Sequence, residues 1–290
     1  MLELIQSSPV ITMCITGVFG LLVGSFLNVV AYRLPIMMQL RWHSECNQLQ
    51  QTEPPNVSEP FNLSVPRSAC PNCGHKITSI ENIPVISYLV LRGKCRGCKT
   101  PISMQYPIIE AFTGLLSVIV AWKFGFTWQT LTALLLVWSL VALADIDRKT
   151  QLLPDDITLP LVWLGILVNI PENGLFTDLK ASVLGAILGY MILWSVFQLF
   201  KLVTGKEGMG YGDFKLLAAL GAWLGWQALP AIILISSFFG AIVGLVMAVL
   251  SKKESGAPIP FGPFLAAAGF VALIWGKEIT NAYLSFTGLQ

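Results

Sequence analysis

Long stretches of this chain carry no Asp, Glu, Lys or Arg at all: residues 4–32, 124–144, 181–200, 216–251 and 255–276. A helix crosses the roughly 30 Å hydrocarbon core of a bilayer with about 20 residues, so windows of this length read as membrane spans. The 290 residues are 54% hydrophobic and only 12% charged, where a soluble domain is typically about a quarter charged.

Window 216–251 is long enough for two spans, with a turn near Gly225 to Pro230. A further span starts at about Ile108, because Glu110 is the only charge in residues 100–122. Window 157–171 is short and contains Pro160. The expected fold is an all-α polytopic membrane protein of about eight transmembrane helices, or seven if the short segment is re-entrant. No basic region precedes the first apolar run and the run is long, so it reads as a first helix rather than a cleaved signal peptide. The expected divisions are a first transmembrane helix at 1–32, a soluble loop at 33–106 and a membrane core at 107–290.

Lys and Arg fix the expected orientation, since they concentrate in cytoplasmic loops. With residues 33–106 inside and the spans alternating, only Lys123, Lys180 and Lys277 of the 18 Lys and Arg fall outside. That bias favours eight spans with both termini outside. The formal charge of +2 is then a topology signal, and no nucleic-acid partner is implied; lipid is. Residues 48–60 are polar and Pro-rich with no apolar period, and read as a mobile loop. Small residues recur in later spans, as at Gly185 and Gly189 and at Gly240 and Gly244. That spacing lets helix backbones approach closely.

Within the soluble loop, Cys70-Pro71-Asn72-Cys73 and Cys95-Arg96-Gly97-Cys98 form two CxxC pairs separated by 21 residues. Paired knuckles at about this spacing suit tetrahedral zinc. A reducing cytoplasm argues against disulfides, and a thioredoxin-like site would need one CxxC in a βαβ setting. Four sulfurs close the site, which makes the expected zinc structural. Pro71, Gly74, Gly93 and Gly97 supply tight turns. His75 is then a bystander, and Cys14 and Cys46 are ordinary thiols.

Two acidic islands stand at the ends of apolar stretches: Asp145 and Asp147 followed by Asp155 and Asp156, and Asp213 after Gly208, Gly210 and Gly212. Carboxylates at a bilayer edge mark candidate functional sites. Asp155 and Asp156 suit a helix N-cap and first turn. The three glycines before Asp213 exceed what a cap needs, and fit an extended substrate laid beside the carboxylate. Two converging carboxylates that share one proton are the chemistry of an aspartyl protease. Spacing does not choose between Asp145 and Asp147 as the partner of Asp213. The two histidines, His43 and His75, both lie in the loop, and no GxSxG, HExxH or Walker motif competes.

Several segments together carry a family likeness. They are Gly24-Ser25-Phe26-Leu27-Asn28-Val29-Val30-Ala31-Tyr32-Arg33-Leu34-Pro35, the CxxC loop with Glu81-Asn82-Ile83-Pro84, Tyr106-Pro107-Ile108-Ile109-Glu110, Asp147 with Leu152-Leu153-Pro154-Asp155, and Gly210-Tyr211-Gly212-Asp213. Through them the chain resembles, almost end to end, the bacterial type IV prepilin peptidases, which share a GxGD motif with presenilin-like proteases. The resemblance implies that Asp147 and Asp213 are the catalytic pair and that Asp145 is an extra acid. It implies cleavage of the short basic leader of a prepilin or pseudopilin after a glycine, at the cytoplasmic face of the inner membrane. It also implies methylation of the new N-terminal residue with S-adenosylmethionine, to which the zinc loop is expected to contribute. No glycine-rich Rossmann fingerprint for that cofactor is present. The alternatives are a peptidase that has lost methylation, a family type that tends to lack the zinc loop; a noncatalytic scaffold; and a proton- or cation-coupled transporter. The last would want acids at the bilayer midplane and inverted repeats.

Overall fold

The computed structural model describes residues 8–49, 61–172, 174–250 and 259–287. Most of the expected mobile loop, and Lys252 and Lys253, lie outside the described residues. Among the described residues regular structure is helical, and β pairing is limited to two isolated bridges. The chain divides into two compact units, Met1–Phe126 and Thr127–Gln290.

The first unit contains α1 (Pro9–Leu49), α2 (Ile86–Val90) and α3 (Gln105–Phe124). At 41 residues, α1 is about 60 Å long, twice the thickness of a bilayer core. It does not stop at the end of its apolar run: Pro35 lies inside the helix, and the following residues, rich in Met, Leu, Gln and Arg, are good helix formers. The seam with α3 is made by glycines. A Cβ on Gly17 would lie 2.7 Å from Val118, and one on Gly24 would lie 2.8 Å from the Glu110 Cα. Small residues bring the two backbones together.

The second unit contains α4 (Trp128–Thr150), α5 (Asp155–Val168), α6 (Leu179–Thr204), α7 (Tyr211–Leu224), α8 (Leu229–Leu250) and α9 (Gly262–Thr287). The described residues include 6 helices long and apolar enough to cross a membrane, which makes this a multi-pass membrane protein, with fewer full-length spans than the eight expected. The difference lies in α5 and α7. Each has 14 residues, about 21 Å of helix, which falls short of the hydrocarbon core. The uncharged window 216–251 hid this, because α7 begins upstream at Tyr211 and ends at Leu224.

Short as it is, α7 is the core of its unit. Phe214, Leu216, Leu217, Leu220 and Trp223 are all fully buried, as expected of a helix apolar on every side. It packs against α5, α6, α8 and α9. Gly185 and Gly189 of α6 lie directly on it: the Gly185 and Gly221 backbones touch, and a Cβ on Gly189 would sit 2.6 Å from the Leu217 carbonyl. Gly240 and Gly244 make no such seam; the nearest atoms to a Cβ there would be 3.6 and 3.3 Å away. The C-terminal carbonyls of α7, which no helical N–H can reach, are met by Asn169. Its Nδ2 donates to the Ala222 and Trp223 carbonyls, each at 3.1 Å. Asp213 lies at the opposite end of α7.

Candidate functional site

Asp145 and Asp147 both fall in the last turns of α4, and both are buried. Two residues apart on a helix, they point to different faces. Asp145 turns back along its own helix. Its Oδ1 accepts from Arg148 at 2.8 Å and its Oδ2 from Lys149 at 2.6 Å. Asp147 turns inward, and its Oδ2 accepts the backbone N–H of Gly262 at 2.9 Å. Gly262 opens α9, where unpaired N–H groups favour a nearby carboxylate. A Cβ on Gly262 would lie 2.7 Å from the same oxygen, so a side chain added there would push the carboxylate aside.

Asp213 stands in the first turn of α7 and is 7% exposed. Leu153, in the turn between α4 and α5, fits between the two segments. Its Cβ would be 2.6 Å from a Cβ on Gly212, and its Cδ2 would be 3.2 Å from one on Gly262. The glycines before Asp213 therefore have separate uses. Gly212 makes room for Leu153, and Gly208 makes room for the Phe200 ring, 2.7 Å from where its Cβ would be. Only at Gly210 is the space open; the nearest atom to a Cβ there would be an Asp213 oxygen at 3.8 Å. An extended backbone could lie beside the carboxylate at that point.

Asp155 and Asp156 occupy the first turn of α5, but the N-cap is Pro154, which bonds through no side chain. Asp155 instead accepts Lys215 Nζ at 2.6 and 2.8 Å, tying the start of α5 to the start of α7. Gly262, Leu153 and Lys215 carry no acid chemistry and contribute through backbone, shape and pairing.

In the first unit the CxxC pairs form two matching turns. The Cys70 N–H donates to the His75 carbonyl at 2.9 Å, and the Cys95 N–H to the Thr100 carbonyl at 2.9 Å. Gly74 takes a φ of 71° in one turn and Lys99 a φ of 61° at the equivalent place in the other. All four sulfurs lie within 4.8 Å of one another, with Cys70 and Cys98 at 3.8 Å and Cys73 and Cys95 at 4.0 Å. Zn–S bonds of about 2.3 Å arranged tetrahedrally put sulfurs about 3.8 Å apart, so the cluster could hold a zinc ion. Thr100 Oγ1 lies 3.1 Å from Cys98 Sγ and also accepts from Asn72 Nδ2 at 2.9 Å. His75 faces away, its Nε2 3.2 Å from Glu81. Glu81 is held down at about 2 by the Thr78 backbone N–H and hydroxyl, with His75 adding to them.

Comparison with known proteins gives a consistent result. Residues 18–124 match the model of the bacterial peptidase A24 N-terminal domain, and residues 134–245 that of the type IV leader peptidase family. The chain is 55% identical over 290 residues to a prepilin leader peptidase/N-methyltransferase of Pseudomonas aeruginosa, covering 100% of this chain and 99% of that protein. It is 54% identical to one from Aeromonas hydrophila, with 98% of each chain covered, and 45% identical to one from Legionella pneumophila, again with 98% of each covered. No solved structure matches.

Proposed function

The chain belongs to the type IV leader peptidase family, and on that premise we propose that it removes the short basic leader of prepilins and pseudopilins and methylates the new N-terminus. The cleaving pair is Asp147 and Asp213. The observation that supports this is that Leu153 packs against both Gly212, next to the buried Asp213, and Gly262, which bonds to the buried Asp147, while Asp145 is turned away onto Arg148 and Lys149.

The pair holds one proton between its two carboxyl groups. The ionised carboxylate takes a proton from water as the water oxygen bonds to the scissile carbonyl carbon. The protonated one gives its proton to the carbonyl oxygen. The tetrahedral intermediate then loses its amine as the C–N bond breaks; the amine leaves with the proton gained from water, and the other carboxylate recovers one from a hydroxyl. The two act as a unit, and neither is assigned a fixed role. Gly262 N–H fixes the Asp147 carboxylate, and the open edge at Gly210 receives the peptide.

Cys70, Cys73, Cys95 and Cys98 would hold a structural zinc, which would tie residues 68–101 into one body. S-adenosylmethionine supplies the methyl group when bound. Among the described residues no strand leads into a glycine-rich turn of the Rossmann kind, and no residues are assigned to that group. The protein lies in the bacterial inner membrane, with both the aspartates and the cysteine loop on the cytoplasmic side, and lipid rather than nucleic acid around it. The basic residues of 33–106, Arg148 and Lys149 at the end of α4, and Lys201, Lys206 and Lys215 around the α6–α7 segment support that orientation.

The test is cleavage of purified prepilin in detergent, read by mass spectrometry with and without S-adenosylmethionine. Wild type is expected to release the leader and, with the cofactor, add one methyl mass. Full cleavage by Asp147→Ala or Asp213→Ala would overturn the assignment of the pair.

A further inference from the structure

The second unit has an apolar crevice of about 450 Å³ between α6 and α8. Ile192 and Val196 form one wall, Ser237 and Gly240 the other, and Phe261 and Phe264 the floor. It carries no charged residue, and its rim is open: Val196 is 56% exposed, and Ser237 is exposed beside it. The outer faces of both helices are apolar and exposed, at Leu199 and Phe200 on α6 and Leu234 and Phe238 on α8. Those surfaces suit lipid, so the mouth of the crevice opens sideways within the bilayer.

Its inner end joins the candidate site through the chain itself. Met209 lines the crevice and leads directly into Gly210, the open edge beside Asp213. Phe261 lines the floor and is followed by Gly262, which holds Asp147. An apolar trough whose lining is one residue along the chain from Gly210 and from Gly262, and whose rim faces lipid, suits one kind of occupant. It suits a polypeptide with an apolar helix next to the bond being cut.

We infer that the α6–α8 crevice receives the apolar membrane helix that follows the scissile bond of the substrate. This rests on the prepilin reading above. The basic leader stays at the water-facing side, and the apolar part reaches the crevice by lateral entry between α6 and α8. An amphipathic or apolar helix in a groove is held by side chains one turn apart, which makes the contact tolerant of any single substrate residue.

A photoreactive phenylalanine analogue placed at Ser237 tests this, in an Asp213→Asn background that keeps the substrate intact. Full-length prepilin should crosslink through its apolar segment, mapped by mass spectrometry. The same analogue at Leu234, on α8 but outside the crevice, should give at least tenfold less. Capture of lipid alone at Ser237 would overturn the inference. Kinetics give a second arm. A Cβ on Gly240 would have its nearest neighbours, Phe264 and Phe261, at 3.6 and 3.7 Å, so Gly240→Ala fits, whereas Gly240→Leu fills the trough. Gly240→Leu should raise KM for full-length prepilin about tenfold with kcat kept, while a short peptide ending just past the bond is cleaved as by wild type. Equal KM for both substrates in that variant would also overturn the inference. If wild type cleaves no prepilin, the parent reading fails and this one falls with it; if wild type cleaves and Ser237 stays silent, only the crevice assignment fails.

Discussion

The Asp147 carboxylate is held by the backbone N–H of Gly262, 2.9 Å away and 115 residues further along the chain. This bond ties one acid of the proposed pair to the start of α9 through a backbone N–H rather than a side chain. It also leaves no space, since a Cβ at Gly262 would stand 2.7 Å from the same oxygen. Gly262→Ala must displace either the carboxylate or the helix start. Misplacing a reacting group by about 1 Å can cost about a hundredfold. The expected outcome is a ten- to hundredfold fall in kcat for prepilin, with the zinc content of the cysteine loop unchanged. Wild-type kcat in Gly262→Ala would show that the bond does not position the acid.

Asp145 and Asp147 should separate cleanly in a parallel pair of variants. Asp145→Asn removes contacts to Arg148, 53% exposed, and Lys149, 29% exposed. Such partly solvated pairs contribute less than about 1 kcal/mol, so cleavage should stay within about threefold of wild type. Asp147→Asn keeps shape but removes the acid, and the rate should fall about a thousandfold or more. Similar losses in both variants would contradict the division of roles.

The acids alone did not choose between Asp145 and Asp147, but their basic neighbours differ. Asp145 has Arg148 at i+3 and Lys149 at i+4, the positions that meet on a helix surface, while Asp147 has Thr150 and Gln151 there. In the structure Asp145 takes both of those partners, whereas Asp147 bonds to Gly262; in the sequence the choice of Asp147 rested on the family likeness. The cysteine cluster was legible because each CxxC is a local turn, and its geometry follows from neighbours in sequence. The contacts of Gly262 and Leu153 were not legible, although Leu153 stands in a segment that carries the family likeness. Their contacts join segments that only the packing of α7 brings together, and neither residue type advertises a role. The short length of α7 was hidden too, because a helix buried among other helices is as apolar as one facing lipid.

Thr100 offers a way to weaken the metal site without touching a ligand. Its hydroxyl lies 3.1 Å from Cys98 Sγ and is the main reason the Cys98 thiol is pushed down to about 5. Groups that support metal ligands are worth about ten- to a hundredfold in affinity. Thr100→Val should lower zinc affinity by that factor in a chelator competition, with all four cysteines intact. Unchanged affinity would mean that the hydroxyl leaves the thiolate indifferent.

Glu81 makes the stability of the loop depend on acid. Bonds from the Thr78 N–H and hydroxyl, then from His75, hold its carboxyl at about 2 against an ordinary value of 4.5, with Arg96 3.6 Å away. A carboxylate lowered on folding stabilises fully above its unfolded value and loses that contribution as the pH falls through the folded one. Wild type should therefore resist loop unfolding better than Glu81→Gln at pH 6. The gap should narrow from about pH 4.5 towards pH 2. Loss of zinc through thiol protonation affects both proteins and cancels in the difference. A gap that does not change with pH would remove the carboxylate from this account.

Leu153 should matter to cleavage although it carries no chemistry. Its side chain fills the space left by Gly212, one residue before Asp213, and also reaches Gly262, which holds Asp147. One apolar side chain thus sets the spacing of the two segments that carry the acids. Leu153→Ala opens a gap between them. Removing a buried Leu side chain costs about 2–5 kcal/mol, and partial exposure of this one puts the cost near the lower end. A looser pair meets the scissile carbonyl in fewer productive arrangements, so kcat should fall about tenfold while KM for prepilin moves little. Leu153→Met, close in volume and flexible enough to fill the same space, should restore most of the rate. A fall in KM and kcat together, or no rescue by methionine, would point to general loosening of the unit rather than to the spacing of Asp147 and Asp213.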